Sequence, residues 1–541
     1  MSLASAPSAP EVATPASIQR QVSESSGTRP WPLALVVAGL SALAIWLVSP
    51  RFAIDGPSLV DDWAAISRSP DQVSNLLHLS NPEPERFRPA WIFWNYVQWN
   101  TFDAPRGLVG PNAWNVVRIL LFVVGITLMT WLLLPQARAR REAVIRACLA
   151  GIPVFAVIAV PKFARDFAWF GPQEPLLLGG LALGGSLLAL AARALLAEDD
   201  PRPFVTAVMA VAGSLFWLVG VYEKELSLCA IPLVAAVLFG SREKARSWSR
   251  RGTGRRVALG AVGAVVVLPL LHVAVETARI TIRGDIVYEA KVDGGAGIVH
   301  GLHVLYDWSH EAMPLQSRYL LVAALVLTAV AAVYRRRVDV LALGALASGA
   351  LATVFAAQSG VAVSRYYIPL VALFAVALSL SLARFPELVR AAGVLFVFFA
   401  FVPLTETRAE VQRWSDEEQQ HALLVRRVAD LERSGCTVAV AGLDLETGLA
   451  LPVLVGLDRS SSGQQCAEGG AYLVLPPYFD DNLSLAKTCA PGALEPLVLG
   501  RLAGVYECRR LRAGKIADPK LGSLTSAELL AAYRLRPASV P

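Results

Sequence analysis

Long apolar blocks separated by short polar stretches dominate the chain from residue 31 to about residue 404. An α-helix of about 20 residues crosses a hydrocarbon core about 30 Å thick, and a crossing segment must satisfy its own backbone polar groups because no water is present there. The pattern predicts a mainly α, polytopic helical bundle of about eleven transmembrane helices, at 31–49, 114–134, 147–161, 174–196, 204–222, 226–240, 257–275, 318–334, 338–357, 364–383 and 388–404.

The two ends of the chain differ from this central module, 31–404. Residues 1–30 are rich in Ser, Ala and Pro without periodicity, which predicts a disordered cytoplasmic tail. Residues 405–541 open with a polar stretch of helical character and continue with strand-like runs, CTVAVAGL and AYLVLPPYF. They predict a small C-terminal α/β domain outside the membrane.

The distribution of charge predicts the orientation of the bundle. Charged residues make up 17% of the chain, against about 25% in soluble proteins. Basic loops at 138–146, 241–256 and 334–337 favour the cytoplasmic side. The pI near 9.0 is therefore a topology signal, and we expect no nucleic-acid partner. The N-terminus is then cytoplasmic, while loops 51–113 and 276–317 and the C-terminal domain are extracytoplasmic. An error in a short span, 147–161 or 226–240, would reverse everything after it.

The cysteines divide between the two regions. Cys148 and Cys229 lie in apolar blocks and are most simply small core residues. The other four lie in the C-terminal region without the spacing typical of zinc sites, and an oxidising compartment would favour disulfides among them: Cys436, Cys466, Cys489 and Cys508. Three pairings are possible. We find no eukaryotic retention signal, and we expect a bacterial inner (plasma) membrane.

The first outer loop carries an acidic pair, Asp61-Asp62, shortly after a membrane helix. Partial desolvation and like-charge repulsion would raise one pKa towards a value useful for a general base. Either residue could instead cap the short helix that follows. Later in the loop, RFRPAW places Arg86 and Arg88 on the side where positive charge is under-represented. Guanidinium groups suit phosphate oxygens, whereas the aromatic residues nearby are typical of an interfacial belt.

Two further charged motifs lie at the outer ends of predicted spans. VYEKELSLCAIPL places Glu223, Lys224 and Glu225 between two apolar blocks with almost no loop, either as a self-paired interfacial turn or as part of a polar cavity. SRYYIP places Arg365 and Tyr366 before a late span, where headgroup anchoring or phosphate binding would explain the arginine.

The outer loop 276–317 also contains a histidine-rich stretch. His300 and His303 form an H-x-x-H spacing, and His310-Glu311 follows, but without the helical H-E-x-x-H pattern of zinc enzymes. A divalent metal is possible there but unsupported, and we expect no obligatory cofactor.

Together the acidic pair, the Arg-Pro element RFRPAW, the Lys-Glu of KELSLCAIP and the Arg-Tyr of SRYYIP resemble the GT-C class of polytopic membrane glycosyltransferases. Their order and predicted sidedness are similar to the protein O-mannosyltransferase and TMTC-type members, over roughly residues 31–400. The C-terminal domain lies outside the resemblance, and no tetratricopeptide repeats follow.

The resemblance implies an inverting enzyme that moves a sugar from a polyprenyl-phosphate donor to a hydroxyl at the outer membrane face. Asp61, or alternatively Asp62, would be the base, and Arg88, Lys224 and Arg365 would bind the donor phosphate. The remaining pocket candidates are Arg86, Glu225 and Tyr366. The acceptor would be a glycan, a lipid or a protein, and membrane lipids would surround the bundle.

Two other classes of function stay open. A lipid or polysaccharide transporter or flippase would line a path with intramembrane charges, although the charges here gather at the ends of the predicted spans. A non-catalytic envelope protein would bind a partner through its C-terminal domain, which would leave the acidic pair and the outward arginines without a purpose.

Overall fold

The computed structural model describes the chain as a helical bundle followed by a small sheet. The described residues are 30–53, 73–76, 88–102, 111–137, 139–168, 174–196, 202–240, 252–283, 303, 306, 315–358, 364–400, 404–416, 437–440, 471–474, 494–499 and 504–508. The predicted tail, 1–30, therefore lies almost wholly outside them, as do the acidic pair and most of the outer loop 276–317.

Thirteen α-helices follow one another in the described residues: α1 (Trp31–Val48), α2 (Pro89–Phe102), α3 (Pro111–Leu133), α4 (Arg140–Ile158), α5 (Pro161–Ala168), α6 (Glu174–Leu196), α7 (Pro203–Glu223), α8 (Ile231–Gly240), α9 (Thr253–Arg283), α10 (Leu315–Arg335), α11 (Val340–Gln358), α12 (Ile368–Leu382) and α13 (Glu387–Ala400). Three 3-10 helices lie at Ser49–Ala53, Glu225–Ala230 and Ser364–Tyr367. Residues 404–416 are also helical, and we call them helix 404–416.

Helices long and apolar enough to cross a membrane number seven among the described residues, or eight if the pair α4–α5, bent by 89°, counts as one span. Three more predicted spans correspond to shorter apolar helices, at Glu225–Gly240, Val322–Arg335 and Ile368–Leu382. The chain thus has the architecture of a polytopic helical bundle, while the long apolar helices within the described ranges number fewer than the eleven predicted crossings. The break of α4 at Ala159–Val160 is one reason, because only the apolar residues 147–158 lie between its charged first turns and the bend.

The successive long helices α3, α4, α6 and α7 alternate in direction, so the bundle has two ends with different contacts. At one end, which we call the Arg146 end, the Arg146 guanidinium reaches the carbonyl of Leu134 at the end of α3. At the same end, Arg193 of α6 reaches the carbonyl of Leu132. At the other end, which we call the Lys224 end, the start of α6 lies against the end of α7.

Glycines allow α6 to lie very close to its neighbours. A side-chain carbon at Gly179 would meet the α3 backbone at Phe122 at 2.9 Å, and one at Gly180 would meet the α7 backbone at Gly220 at 2.9 Å. Small residues permit such close approach of helices in membranes, where dispersion contacts replace the hydrophobic effect. This contact positions Glu174, at the start of α6, beside the last residues of α7.

Helix 404–416 packs on the bundle at the Lys224 end. The Thr407 hydroxyl donates to the Ala159 carbonyl at the end of α4, at 2.7 Å. Arg408 donates to the Trp46 carbonyl of α1, and the Arg51 guanidinium lies over the Trp414 ring, with 5.9 Å between guanidinium carbon and ring centroid. The first residues of the predicted 405–541 domain are therefore docked on the membrane helices.

Four strands lie further along: β1 (Thr437–Val440), β2 (Ala471–Val474), β3 (Leu494–Leu499) and β4 (Gly504–Cys508). They form one sheet in the order β1-β2-β4-β3, with β1 and β2 parallel and the other neighbours antiparallel. Strands β1 and β2 fall on the two strand-like runs of the sequence. The rest of 417–541 lies outside the described residues, so an α/β domain there stays a prediction.

Candidate functional site

A cluster of charged side chains lies inside the Lys224 end of the bundle. Glu223, the last residue of α7, interacts electrostatically with four other charged groups, repulsively with Glu174 and attractively with Arg88, Arg118 and Lys224. These five residues come from four separate stretches of the sequence, and we call them the charge cluster. Four of them expose 6% or less of their surface, and Arg88 is half-buried.

Lys224 occupies a break in the helices. Its backbone is extended, with φ −165° and ψ 152°, between the end of α7 and the 3-10 helix that begins at Glu225. Because no helix continues through this residue, tertiary partners determine where its side chain lies. The ammonium nitrogen is 2.8 Å from Oε1 of Glu174 and 3.9 Å from the centroid of the Tyr366 ring.

Glu174 is the most deeply buried acid of the cluster, with 0% of its surface exposed. It lies in the first turn of α6, where the helix dipole and free amide groups favour a carboxylate. The carboxylate is thus stabilised as an anion from two sides, by the helix N-terminus and by Lys224. This arrangement forms a buried ion pair between α6 and the break that follows α7.

Arg88 comes directly before α2, in the RFRPAW element. Its guanidinium carbon lies 3.9 Å from the centroid of the Trp91 ring, and its backbone carbonyl accepts from the amide of Ile92 in the first turn. Proline at the start of α2 suits the position, since the first helical amide would lack a partner anyway. Trp91 belongs to the aromatic run that the sequence predicts to lie in an interfacial belt, and its ring also contacts the Arg88 guanidinium.

Two more buried charged residues, like Glu174, belong to none of the sequence motifs. Arg118, in the second turn of α3, is 1% exposed and donates from Nη2 to the carbonyl of Phe167 in α5, at 3.1 Å. Asp166, also in α5, is 1% exposed. Glu174 and Arg118 were detectable in principle, because each is a single charge at the predicted outer end of an apolar block. Their burial could not be predicted from the sequence, because it depends on which helices become neighbours.

The predicted site residues are only partly within the described residues. Lys224 and Arg88 belong to the charge cluster, Tyr366 contacts Lys224, and Glu225 is 8% exposed at the start of its 3-10 helix. Arg365 has its backbone in the 3-10 helix Ser364–Tyr367, beside Tyr366, but its side chain lies outside the described part of the structure. Three more predicted residues lie wholly outside it: Asp61, Asp62 and Arg86.

Candidate metal ligands and cysteines fall mostly outside the described residues as well. His303 is described and exposed, whereas the rest of the histidine-rich stretch is not. Among the described residues, no group of three His, Cys, Asp or Glu side chains is placed to hold a metal ion. Of the six cysteines, Cys229 is buried and Cys148 partly buried, both as free thiols, and the C-terminal four have no described side chains.

The charge cluster contains three cations and two carboxylates. It combines ammonium and guanidinium groups, which donate hydrogen bonds, with carboxylates that neutralise them in a poorly solvated setting. Comparison of the chain with models of protein families, with curated proteins and with solved structures gives no match.

Proposed function

We propose that this protein is a membrane glycosyltransferase of the GT-C type, which moves a sugar from a polyprenyl-phosphate donor to an acceptor hydroxyl. The observation that carries the proposal is that Arg88 and Lys224, far apart in sequence, both interact electrostatically with one buried carboxylate, Glu223. Tyr366, the neighbour of Arg365, contacts the Lys224 ammonium. Three of the four motifs that resemble the GT-C class thus meet at one end of the bundle.

In the proposed topology the Lys224 end faces the extracytoplasmic side of a bacterial inner membrane. Arginines at the Arg146 end agree with the bias of positive charge towards the cytoplasm. The shorter apolar helices and the bent pair α4–α5 would complete eleven crossings, tilted or embedded among their neighbours. The cytoplasmic N-terminus and the extracytoplasmic α/β domain, with its disulfides, belong to this proposal.

The proposed reaction is a single displacement. The acceptor oxygen attacks the anomeric carbon of the donor while the bond from that carbon to the phosphate oxygen breaks. Asp61, or Asp62, takes the acceptor proton, and the polyprenyl phosphate leaves with the bonding electron pair. General base assistance of this kind contributes about 10²–10⁴-fold, and attack opposite the leaving group inverts the anomeric configuration.

The cations of the site would stabilise the phosphate as its charge develops. Lys224 and Arg88, together with Arg365, are the proposed donors to the phosphate oxygens. A donor fixed in a poorly solvated site needs little reorganisation during the reaction, and loss of one such donor typically costs about 10²–10³-fold in rate. A polyprenyl phosphate is a good leaving group, so this scheme routes no step through a metal.

Sugar transfer by the purified protein tests the proposal. Asp61→Asn and Asp62→Asn variants should insert and fold normally, and at least one should lose transfer from a polyprenyl-phosphate sugar by about 10²-fold or more, as the general-base contribution requires. A suitable control is Asp339→Asn, because Asp339 pairs with Arg384 at the Arg146 end. Full activity in both loop variants would refute the mechanism.

A lipid or polysaccharide transporter is the second candidate, and one observation favours it. The α4–α5 pair is bent by 89° at its break, and Lys224 lies in a second helix break. Discontinuous helices with charged residues at the break are typical of transporter binding sites. Movement of a polyprenyl-phosphate glycan across vesicles, unchanged by Asp61→Asn and Asp62→Asn, would favour the transporter over the enzyme.

A further inference from the structure

We infer that Glu174 is a positioning residue for the donor phosphate: it holds the Lys224 ammonium at the point where the phosphate binds. The inference rests on the proposed function and adds to it a residue from α6, which none of the four motifs contains. It begins from the backbone at Lys224, which is extended and belongs to no helix.

The backbone at such a break does not determine the direction of the lysine side chain. Its side chain has several rotatable bonds, so in isolation it would sample many rotamers. Here two contacts from other helices hold the ammonium, the Glu174 carboxylate at 2.8 Å and the Tyr366 ring at 3.9 Å from its centroid. The two contacts come from different elements of the bundle, α6 and the 3-10 helix before α12, so together they define one position.

The position of the Glu174 carboxylate is determined by the packing of the helices. Glu174 is fully buried at the N-terminus of α6, and the close packing of α6 on α7 brings it to Lys224. Glu223 is also near and attracts Lys224 electrostatically, but among the described residues the hydrogen bond of the ammonium goes to Glu174. The Lys224 ammonium donates to Glu174 at 2.8 Å, so geometry selects between the two carboxylates.

A bound phosphate would compete with Glu174 for the same ammonium. The pair is therefore expected to keep Lys224 in place before the donor arrives and then to share its protons with the phosphate. This makes the role of Glu174 separable from that of a purely structural ion pair. If the pair is only structural, the charges of residues 174 and 224 can be exchanged without loss of function. If Glu174 positions Lys224 for the phosphate, the cation must be on residue 224.

The experiment uses the purified full-length protein in detergent, with polyprenyl monophosphate as the probe. Two readouts are taken, the shift in Tm caused by the probe and the KM and kcat of sugar transfer. The variants are Glu174→Gln, Glu174→Ala and the charge exchange Glu174→Lys with Lys224→Glu. The control is Asp339→Asn, which removes the charge partner of Arg384 in an ion pair of 2.6 Å at the Arg146 end.

Glu174→Ala should weaken the probe-induced shift and lower kcat by roughly 10²-fold, the typical effect of misplacing a group in a reaction site by about 1 Å. Glu174→Gln keeps an oxygen acceptor for Lys224 and should retain more activity than Glu174→Ala. The charge exchange should restore the Tm of the unliganded protein towards the wild-type value but not the response to polyprenyl monophosphate. Asp339→Asn should leave that response unchanged.

The possible results separate the positioning role from a structural one. If the charge exchange restores both Tm and the probe response, Glu174 is merely structural and the inference is wrong. The inference is also wrong if Glu174→Ala folds and responds like wild type. If the wild-type protein itself neither responds to polyprenyl monophosphate nor transfers sugar, the proposed function fails, and the inference falls with it.

Discussion

The two ends of the helical bundle use the same types of charged residue in opposite ways. At the Arg146 end, arginines bind carbonyl groups at helix ends or form ion pairs that are at least partly exposed, such as Arg141 with Glu387, where 76% and 37% of the two side chains are exposed. At the Lys224 end, Lys224 and Glu174 form an ion pair whose side chains are 8% and 0% exposed. The presence of charged residues therefore does not by itself distinguish a surface anchor from a candidate binding site. The burial of their side chains does.

The energetic cost of burying charge separates the two ends further. Exposed ion pairs contribute about 0–1 kcal/mol, since water solvates each partner well on its own. A buried pair bears a desolvation cost of several kcal/mol per ion, so a hydrophobic pair of similar volume is often as stable or more stable. The charge cluster is thus a poor way to stabilise a bundle, which agrees with the phosphate-binding role that we propose for it.

Removal of Lys224 should have the largest effect on stability. Lys224→Met leaves the Glu174 carboxylate buried beside Glu223 without its cation, and we expect a loss of about 3–5 kcal/mol in the free energy of unfolding. Equilibrium unfolding of the purified protein in mixed micelles measures it. The matched control is Arg384→Met at the Arg146 end, where the arginine is 39% exposed and its loss should cost much less. Equal losses at both ends would contradict the difference between them.

Filling the contact between α6 and α7 should have the next largest effect. A side-chain carbon at Gly180 would lie 2.9 Å from backbone atoms of α7, so Gly180→Ala must push the helices apart. Overpacking of this kind costs about 1–3 kcal/mol, and it should also separate Glu174 from Lys224. Unfolding measurements and the response to polyprenyl monophosphate test both effects. Gly263→Ala in α9 is the control, because a carbon there would meet no atom within 4 Å; a larger loss in the control would reject the explanation.

The contact of helix 404–416 with the bundle should have a smaller effect. Thr407→Val removes the buried hydroxyl that donates to the Ala159 carbonyl, and we expect a loss of about 0.5–1.5 kcal/mol in the free energy of unfolding. In the control Thr353→Val, the hydroxyl bonds the Gly349 carbonyl of its own helix, so less should be lost. Identical stabilities of the two variants would indicate that helix 404–416 is not held by this bond.

The smallest effect is expected at the surface of the Arg146 end. Arg141→Gln removes the exposed pair with Glu387 and should change the free energy of unfolding by at most about 1 kcal/mol. The change should shrink further as salt is raised, because exposed charges are screened. Unfolding curves at low and high salt provide the measurement. A large, salt-independent loss would mean that this end, too, contains buried charge.

Periodicity predicted the helices well, because an apolar block in a membrane has no structure available other than a helix. It predicted more crossings than the long apolar helices of the described residues supply, since the block at 147–161 breaks at Ala159–Val160 and the one at 226–240 is divided into a 3-10 helix and α8. Such breaks depend on neighbours that supply hydrogen bonds to the interrupted backbone, as Thr407 does for Ala159.

The sequence by itself determined that this chain is a polytopic helical membrane protein, and it pointed to Arg88, Lys224 and Tyr366 through short motifs. Only the tertiary structure decided that these residues lie together, and that Glu174 and Arg118, which belong to none of the motifs, lie with them. The reason is physical. Hydrophobicity is a local property that each segment carries alone, whereas the energy of a buried charge depends on partners that other helices bring to it.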